Sequence, residues 1–178
     1  MKAAVLVIDM LNDFVKGALR VEKAKDIVPR LKELLAWARE KGVPVIYVND
    51  AHIRGVDAEL KLWGQHAIKG TWGAQGVEEL APKPGDFVVE KRRYSAFFGT
   101  DLDLLLRELG VDTLILTGLV TNVCVQHTAA DAFFRGYKLI IVSDCCEALT
   151  EEDHLRALGY MEKVYGAEVK KAEELMAG

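Results

Sequence analysis

The sequence is short of cysteine, of basic charge and of long apolar runs. Its three cysteines are too few and too odd in number for the closed disulfide framework of a small secreted domain, and Cys145 and Cys146, being adjacent, are poorly placed to bridge each other. Acidic residues outnumber basic ones by 27 to 23, giving a formal charge of −4 with no basic tail, which argues against a nucleic-acid partner. The N-terminal apolar run from Ala3 to Ile8 is too short for a signal-peptide core or a membrane span and ends on an acid, Asp9. The expectation is a soluble, cytoplasmic protein in a reducing compartment, with no membrane partner, where a thiol is either packing or chemistry. Repeats, low-complexity tracts and linkers are also missing. At 51% apolar residues, the chain reads as a single domain over residues 1–178 with enough material for a core.

What is present is an alternation. Short β-branched runs at residues 3–9, 43–50, 86–91, 112–118 and 138–144, with a weak sixth around 167–169, are separated by segments of helical period. Ile27, Leu31, Leu34, Leu35 and Ala38 form one apolar stripe; Leu102, Leu105, Leu106 and Leu109 form a second; Val125, Ala129, Ala132 and Phe133 a third; Leu155, Leu158 and Met161, after Thr150 as N-cap, a fourth. The pattern predicts an α/β fold: three α/β/α layers around a mostly parallel, Rossmann-like sheet of about six strands, covered on both faces. Residues 51–85 break the alternation. They carry Trp63, Trp72, His52 and His66 without sustained helix or strand signal, as expected of an active-site loop insertion.

In such a sheet the ligand crevice lies beyond the carboxyl ends of the strands. Polar residues gather there: Asp9, Asp50, Lys91, Thr117 and Asp144 close the five main strands. After the fourth strand, Gly118 leads into a tight turn, Thr121 or Asn122 can cap a helix, and Cys124 falls in its first turn. Unpaired N–H groups and the helix dipole there favour a thiolate and can hold an oxyanion. Asp9 and Lys91 can supply a base and a counter-charge, whereas His127, three residues on, reads as a covering residue. Asp50, His52 and His66 can form one side of a divalent metal site.

These residues resemble the isochorismatase-like cysteine hydrolases and, within them, the nicotinamidases. The likeness runs through VLVIDMLNDF (5–14), VNDAHI (48–53), LWGQHAIKG (62–70), VVEKRRYSAFFGTDL (88–102) and TGLVTNVCVQHTAADAFFRGY (117–137). The resemblance implies Cys124 as nucleophile, Asp9 as general base and Lys91 as the third member of a triad. It implies backbone N–H groups of Thr121 and Cys124 as the oxyanion hole, with a cis peptide mapped between Val120 and Thr121. It makes Asp50, His52 and His66 the ligands of a divalent metal, zinc by preference with iron or manganese as alternatives, and Phe14, Trp63 and Tyr94 contacts of the substrate ring. The family often has a proline after the first metal histidine and a fourth ligand before the last. Here Ile53 and a shortened loop leave Asp57, Glu59 or water for that position.

The activity implied is hydrolysis of nicotinamide to nicotinate and ammonia. The alternative is an amidohydrolase of the same family acting on an N-carbamoyl, ureido or other small amide, whose relatives typically lack the metal set. Isochorismatase chemistry proper does not need the thiol, and Cys124 argues against it. The partners expected are the small amide and further copies of the chain, as a dimer or tetramer; Cys145 and Cys146 are expected to be packing.

Overall fold

A computed structural model describes residues 2–178. Six parallel strands, β1 (Ala3–Ile8), β2 (Val45–Asp50), β3 (Phe87–Lys91), β4 (Thr113–Leu119), β5 (Lys138–Glu147) and β6 (Glu168–Lys170), stand in the order β3-β2-β1-β4-β5-β6. The order reverses between β1 and β4, which makes their carboxyl ends the switch point of the sheet, where an α/β fold opens a crevice.

Alternation along the strands explains the layers. Leu6, Ile8, Val48 and Leu116 face one core with Leu102 and Leu106 of α4 (Leu102–Glu108), Ala129 and Ala132 of α5 (Gln126–Phe134) and Leu158 and Met161 of α6 (Glu151–Tyr165). Val5, Val7, Ile115 and Ile140 face the other with Leu31, Leu34 and Leu35 of α2 (Ala24–Glu40) and Leu175 of α7 (Ala172–Ala177). Each fully buried side chain of this kind contributes about 1.5–3 kcal/mol. The Thr150 hydroxyl accepts from the Asp153 N–H at the start of α6. Leu155 and Phe133, though in phase with their stripes, are exposed. Among the described residues no helix is long and apolar enough to cross a membrane.

The loop insertion has structure too short to leave a period: α3 (Glu59–Trp63) and 3₁₀ turns at Trp72–Ala74 and Glu78–Leu80. A second short helix, α1 (Asn12–Val15), follows β1. Two expected site residues fall elsewhere. Strand β5 runs on to Glu147 because a bulge against β4 pairs Gly118 with Cys146 after Leu116 with Ile141. Asp144 therefore sits inside the strand, where its Oδ1 accepts from the Ala172 N–H. Thr117 lies within β4 and donates its hydroxyl to the Leu6 carbonyl. Cys145 and Cys146 alternate into the two cores as free, buried thiols.

Candidate active site

The carboxyl ends of β1, β2 and β3 and the turn after β4 bring Asp9, Asp50, Lys91 and Cys124 to one point. Asp9 immediately follows β1 with a positive φ of 53°, a left-handed conformation that aspartate tolerates better than most residues. Gly118 has a φ of 108°, and a Cβ there would overlap the Ile8 carbonyl, so this close approach of β4 to β1 requires glycine. The chain then turns through a π-helical segment, Thr121–Val125, into α5. No side chain caps it: Val120 holds the cap position, and Thr121 Oγ1 lies instead 2.7 Å from His154 Nδ1 on α6. The cis peptide joins Leu119 to Val120, one bond earlier than the sequence mapping, because Thr121 already belongs to the helical turn.

Lys91 is wholly buried. Its Nζ lies 2.6 Å from Asp50 Oδ1, 3.0 Å from Asp9 Oδ2 and 3.5 Å from Cys124 Sγ, and it donates to the Arg93 carbonyl at 2.9 Å. The Asp50 N–H donates to Asp9 Oδ1 at 2.8 Å. Burial, then the Asp50 charge, raises the Asp9 carboxyl to about 6, although Lys91 pulls it down. Burial raises the Cys124 thiol well above its ordinary value, and the carboxylates of Asp9 and Asp50 outweigh part of the pull from Lys91. The thiolate that the helix start favours is thus opposed by burial and by two neighbouring anions. Asp9, whose Oδ2 is buried without a hydrogen-bond partner and which has a carboxylate oxygen within 4.8 Å of the Cys124 sulfur, is set to receive the proton.

Beside the thiol lies a second cluster. Donor atoms of Asp50, His52, Glu59 and His66 are all within 4.8 Å of one another, and all four residues are buried. His52 Nε2 is 3.4 Å from Asp50 Oδ2 and 3.4 Å from Glu59 Oε2. A tetrahedral ion with bonds near 2.1 Å separates its ligands by about 3.4 Å. His52 Nδ1 lies 2.9 Å from Asp57 Oδ2, and His66 Nδ1 lies 2.8 Å from the Gly64 carbonyl. Both partners are acceptors, so each Nδ1 carries the proton and each Nε2 keeps its lone pair for the cluster. His52 Nε2 and Glu59 Oε1 are buried without a hydrogen-bond partner. Burial and the Asp50 charge push the Glu59 carboxyl up to about 7. Two carboxylates, two lone-pair imidazoles and two unpartnered buried atoms fit a divalent cation.

Glu59, at the start of α3, thus occupies the position for which the sequence left Asp57, Glu59 or water. Asp57 stands behind His52, tied to Arg92 by a bidentate pair, Nε–H to Oδ2 at 3.1 Å and Nη2–H to Oδ1 at 2.5 Å, which together with His52 holds its carboxyl below the usual range. A pocket joins the two clusters. Asp9 and Cys124, Asp50, Glu59 and His66, and the aromatic side chains of Phe14, Trp63 and Tyr94 all line it. Trp63 Nε1 donates to the Tyr94 hydroxyl at 3.1 Å, and the Phe14 ring meets His66 edge-on at 5.6 Å. Leu19, Val21 and Leu149 complete the apolar wall; nothing in their local sequence marked them.

Residues 3–174 match the isochorismatase domain family. The chain belongs to the isochorismatase family. As a family hydrolase it is 42% identical to N-carbamoylsarcosine amidase from Thermoplasma acidophilum, with a TM-score of 0.92 over 97% of this chain and 98% of that one. It is 36% identical to nicotinamidase PncA from Bacillus subtilis, with a TM-score of 0.92 over 96% and 100%. It is 30% identical to the pyrazinamidase of Pyrococcus horikoshii in complex with zinc, with a TM-score of 0.89 over 96% and 99%. The family and the three-layer fold are those the sequence motifs implied.

Proposed function

We propose that this hydrolase converts nicotinamide to nicotinate and ammonia, with Asp9, Lys91 and Cys124 as the catalytic triad. The observation that carries the reading is the pocket itself: a thiol and a four-donor cluster, bridged by Asp50, in a pocket lined by aromatic side chains. A flat heteroaromatic amide is long enough to present its carboxamide to one end and its ring nitrogen to the other. A divalent ion held by Asp50, His52, Glu59 and His66 supplies a Lewis-acid seat for that nitrogen when bound.

Asp9 takes the thiol proton while Cys124 Sγ bonds to the carboxamide carbon and the carbonyl electrons move onto oxygen. Backbone N–H groups of Val120 and Cys124, which line the pocket, receive that oxyanion; Thr121, one residue beyond the cis bond, is buried outside the lining. Collapse breaks the carbon–nitrogen bond, and Asp9 returns its proton to departing ammonia, leaving a thioester. Water then gives a proton to Asp9 as its oxygen attacks the thioester carbon, and the sulfur leaves with that proton. Lys91 stays charged throughout and keeps Asp9 low enough to serve as a base at neutral pH.

The 42% identity to an N-carbamoyl amidase favours a second reading, a ureido or N-carbamoyl acid as substrate. Such acids need a cation for their carboxylate, and among the described residues lining the pocket no lysine or arginine appears. Ammonia release from nicotinamide, pyrazinamide and ureido acids, with and without chelator, tests the two. Turnover of the ureido acids by metal-free protein, with nicotinamide inert, would reject the first reading. Cys124→Ala is expected to release no ammonia while retaining bound metal; parental rates in that variant would reject the covalent mechanism. The same reading takes the active form to be a cytoplasmic homo-oligomer, with exposed Leu62 and Trp72 as candidate contacts, and light scattering of the purified protein checks its mass.

A further inference from the structure

Immediately after the general base comes α1, a single turn whose four residues are all buried. Its Asp13 carboxylate takes no part in the triad or the donor cluster. Asp13 Oδ2 accepts from the Ala67 N–H at 2.8 Å, and Oδ1 accepts from the Ala18 N–H at 3.1 Å. Room for it is made by glycine on two sides: a Cβ on Gly73 would overlap the carboxylate, and a Cβ on Gly17 would overlap Oδ1 and the Asp13 backbone. The flanking residues hold the same loop. Asn12 donates its side-chain N–H to the Trp72 carbonyl at 3.0 Å and its backbone N–H to the Gln75 carbonyl at 2.9 Å.

Ala67 is the residue through which this grip reaches the donor cluster. It adjoins His66 in the chain, and its carbonyl accepts from the His52 N–H at 2.9 Å. One residue therefore ties together the backbones of both imidazole donors. Ala67 also has a φ of 44°, a left-handed conformation that a non-glycine residue keeps only where its surroundings fix it. The buried acceptor on its N–H is Asp13.

We propose that Asp13 is a positioning residue for the metal cluster: by holding the Ala67 N–H it sets the spacing of His52 and His66. The inference rests on the metal reading above and adds a residue outside the ligand set. Asp13→Ala removes both acceptors, Asp13→Asn keeps one oxygen, and Gly73→Ala pushes the carboxylate away from the opposite side without touching it chemically. Zinc affinity is measured by competition with a chromogenic chelator, hydrogen exchange at the Ala67 amide by NMR, and the triad by the rate of Cys124 alkylation.

Loss of an orienting contact behind a ligand weakens metal binding by about 10- to 100-fold. That loss is expected in Asp13→Ala and Gly73→Ala, and a smaller one in Asp13→Asn, with faster Ala67 exchange and an alkylation rate within about twofold of the parent. If Asp13→Ala does not fold, the other two variants decide. Folded variants that bind zinc as tightly as the parent, whatever their melting temperature, would show Asp13 to be packing and overturn the proposal. A parent that binds no zinc defeats the metal reading instead; faster Ala67 exchange in the variants would then still support Asp13 as the loop's anchor, and unchanged exchange would overturn that too.

Discussion

Replacing Lys91 by methionine tests the electrostatics of the site most directly. The ammonium is completely buried between Asp50 Oδ1 at 2.6 Å and Asp9 Oδ2 at 3.0 Å, so one cation and two anions leave a site charge of −1. Without it, the variant restores −1 by taking up one proton on a carboxyl whose unfolded value is near 3.9. At 1.36 kcal/mol per unit, holding that proton costs about 5–6 kcal/mol at pH 8 and about 2 kcal/mol at pH 5.5. The parent gains about 1 kcal/mol over the same interval, because its Asp9, raised to about 6, begins to bind a proton as the pH falls. The sign follows from linkage: a carboxyl raised above its unfolded value makes the folded state more proton-rich, so stability rises as pH falls. The gap between parent and variant should therefore be about 5–6 kcal/mol at pH 8 and about 3 kcal/mol at pH 5.5. At the higher pH this corresponds to roughly 10–20 °C in melting temperature. Urea denaturation at the two pH values gives both numbers. A gap that does not change with pH, or that stays below about 1 kcal/mol, would refute the view of Lys91 as the counter-charge of a buried carboxylate pair.

Other outcomes follow from the same geometry. Because Asp9 must be ionised to accept the thiol proton and its carboxyl is raised to about 6 before any cation joins the donor cluster, kcat/KM should fall about tenfold per unit on an acid limb that lies at or below pH 6; a limb above that pH, or none at all, would contradict its role as base. Glu59→Gln removes one negative donor from the cluster and should weaken zinc binding by at least about tenfold, with nicotinamide KM rising at limiting metal and recovering with excess zinc. Chelator competition reads the first effect and steady-state kinetics the second. Gly118→Ala sets a Cβ into the Ile8 carbonyl at a positive φ, so it should destabilise the fold by about 3 kcal/mol or more; a denaturation midpoint equal to the parent's would show that the β1 and β4 ends can separate.

The fold was legible because its signal is redundant. Five strands and four apolar stripes repeat one two-sided pattern, and each error was local. Strand β5 overran its expected end because a bulge is a property of the pair, invisible in either strand alone. Helices α1, α3 and α7 are four to six residues long, too short to complete an apolar period. At the site, Asp9, Lys91 and Cys124 could be read from their places at strand ends and a helix start. Glu59 could not be separated from Asp57, since a loop carboxylate shows no spacing that says which way it points. The thiol's surroundings were also out of reach: the turn argues for a thiolate, and only the three-dimensional packing shows a buried sulfur beside two anions. Asp13 escaped for the same reason, as its partners Ala67 and Gly73 lie more than fifty positions away.

Asp50 is the residue that makes the two clusters one site. Oδ1 serves Lys91, Oδ2 faces His52 Nε2 among the donors, and the backbone N–H serves Asp9. A separate metal ligand and a separate lysine partner could each be mutated alone; a shared carboxylate cannot. Its charge raises Asp9 while Lys91 lowers it, so whatever neutralises Asp50 from the donor side also lowers the basicity of the catalytic acid at a distance of one residue. A cation in the cluster and a proton on Asp9 are thus mutually unfavourable through an intervening buried charge. On the function proposed above, the consequence is a base that remains ionised when the donor cluster is loaded, which is the state that attack by Cys124 requires.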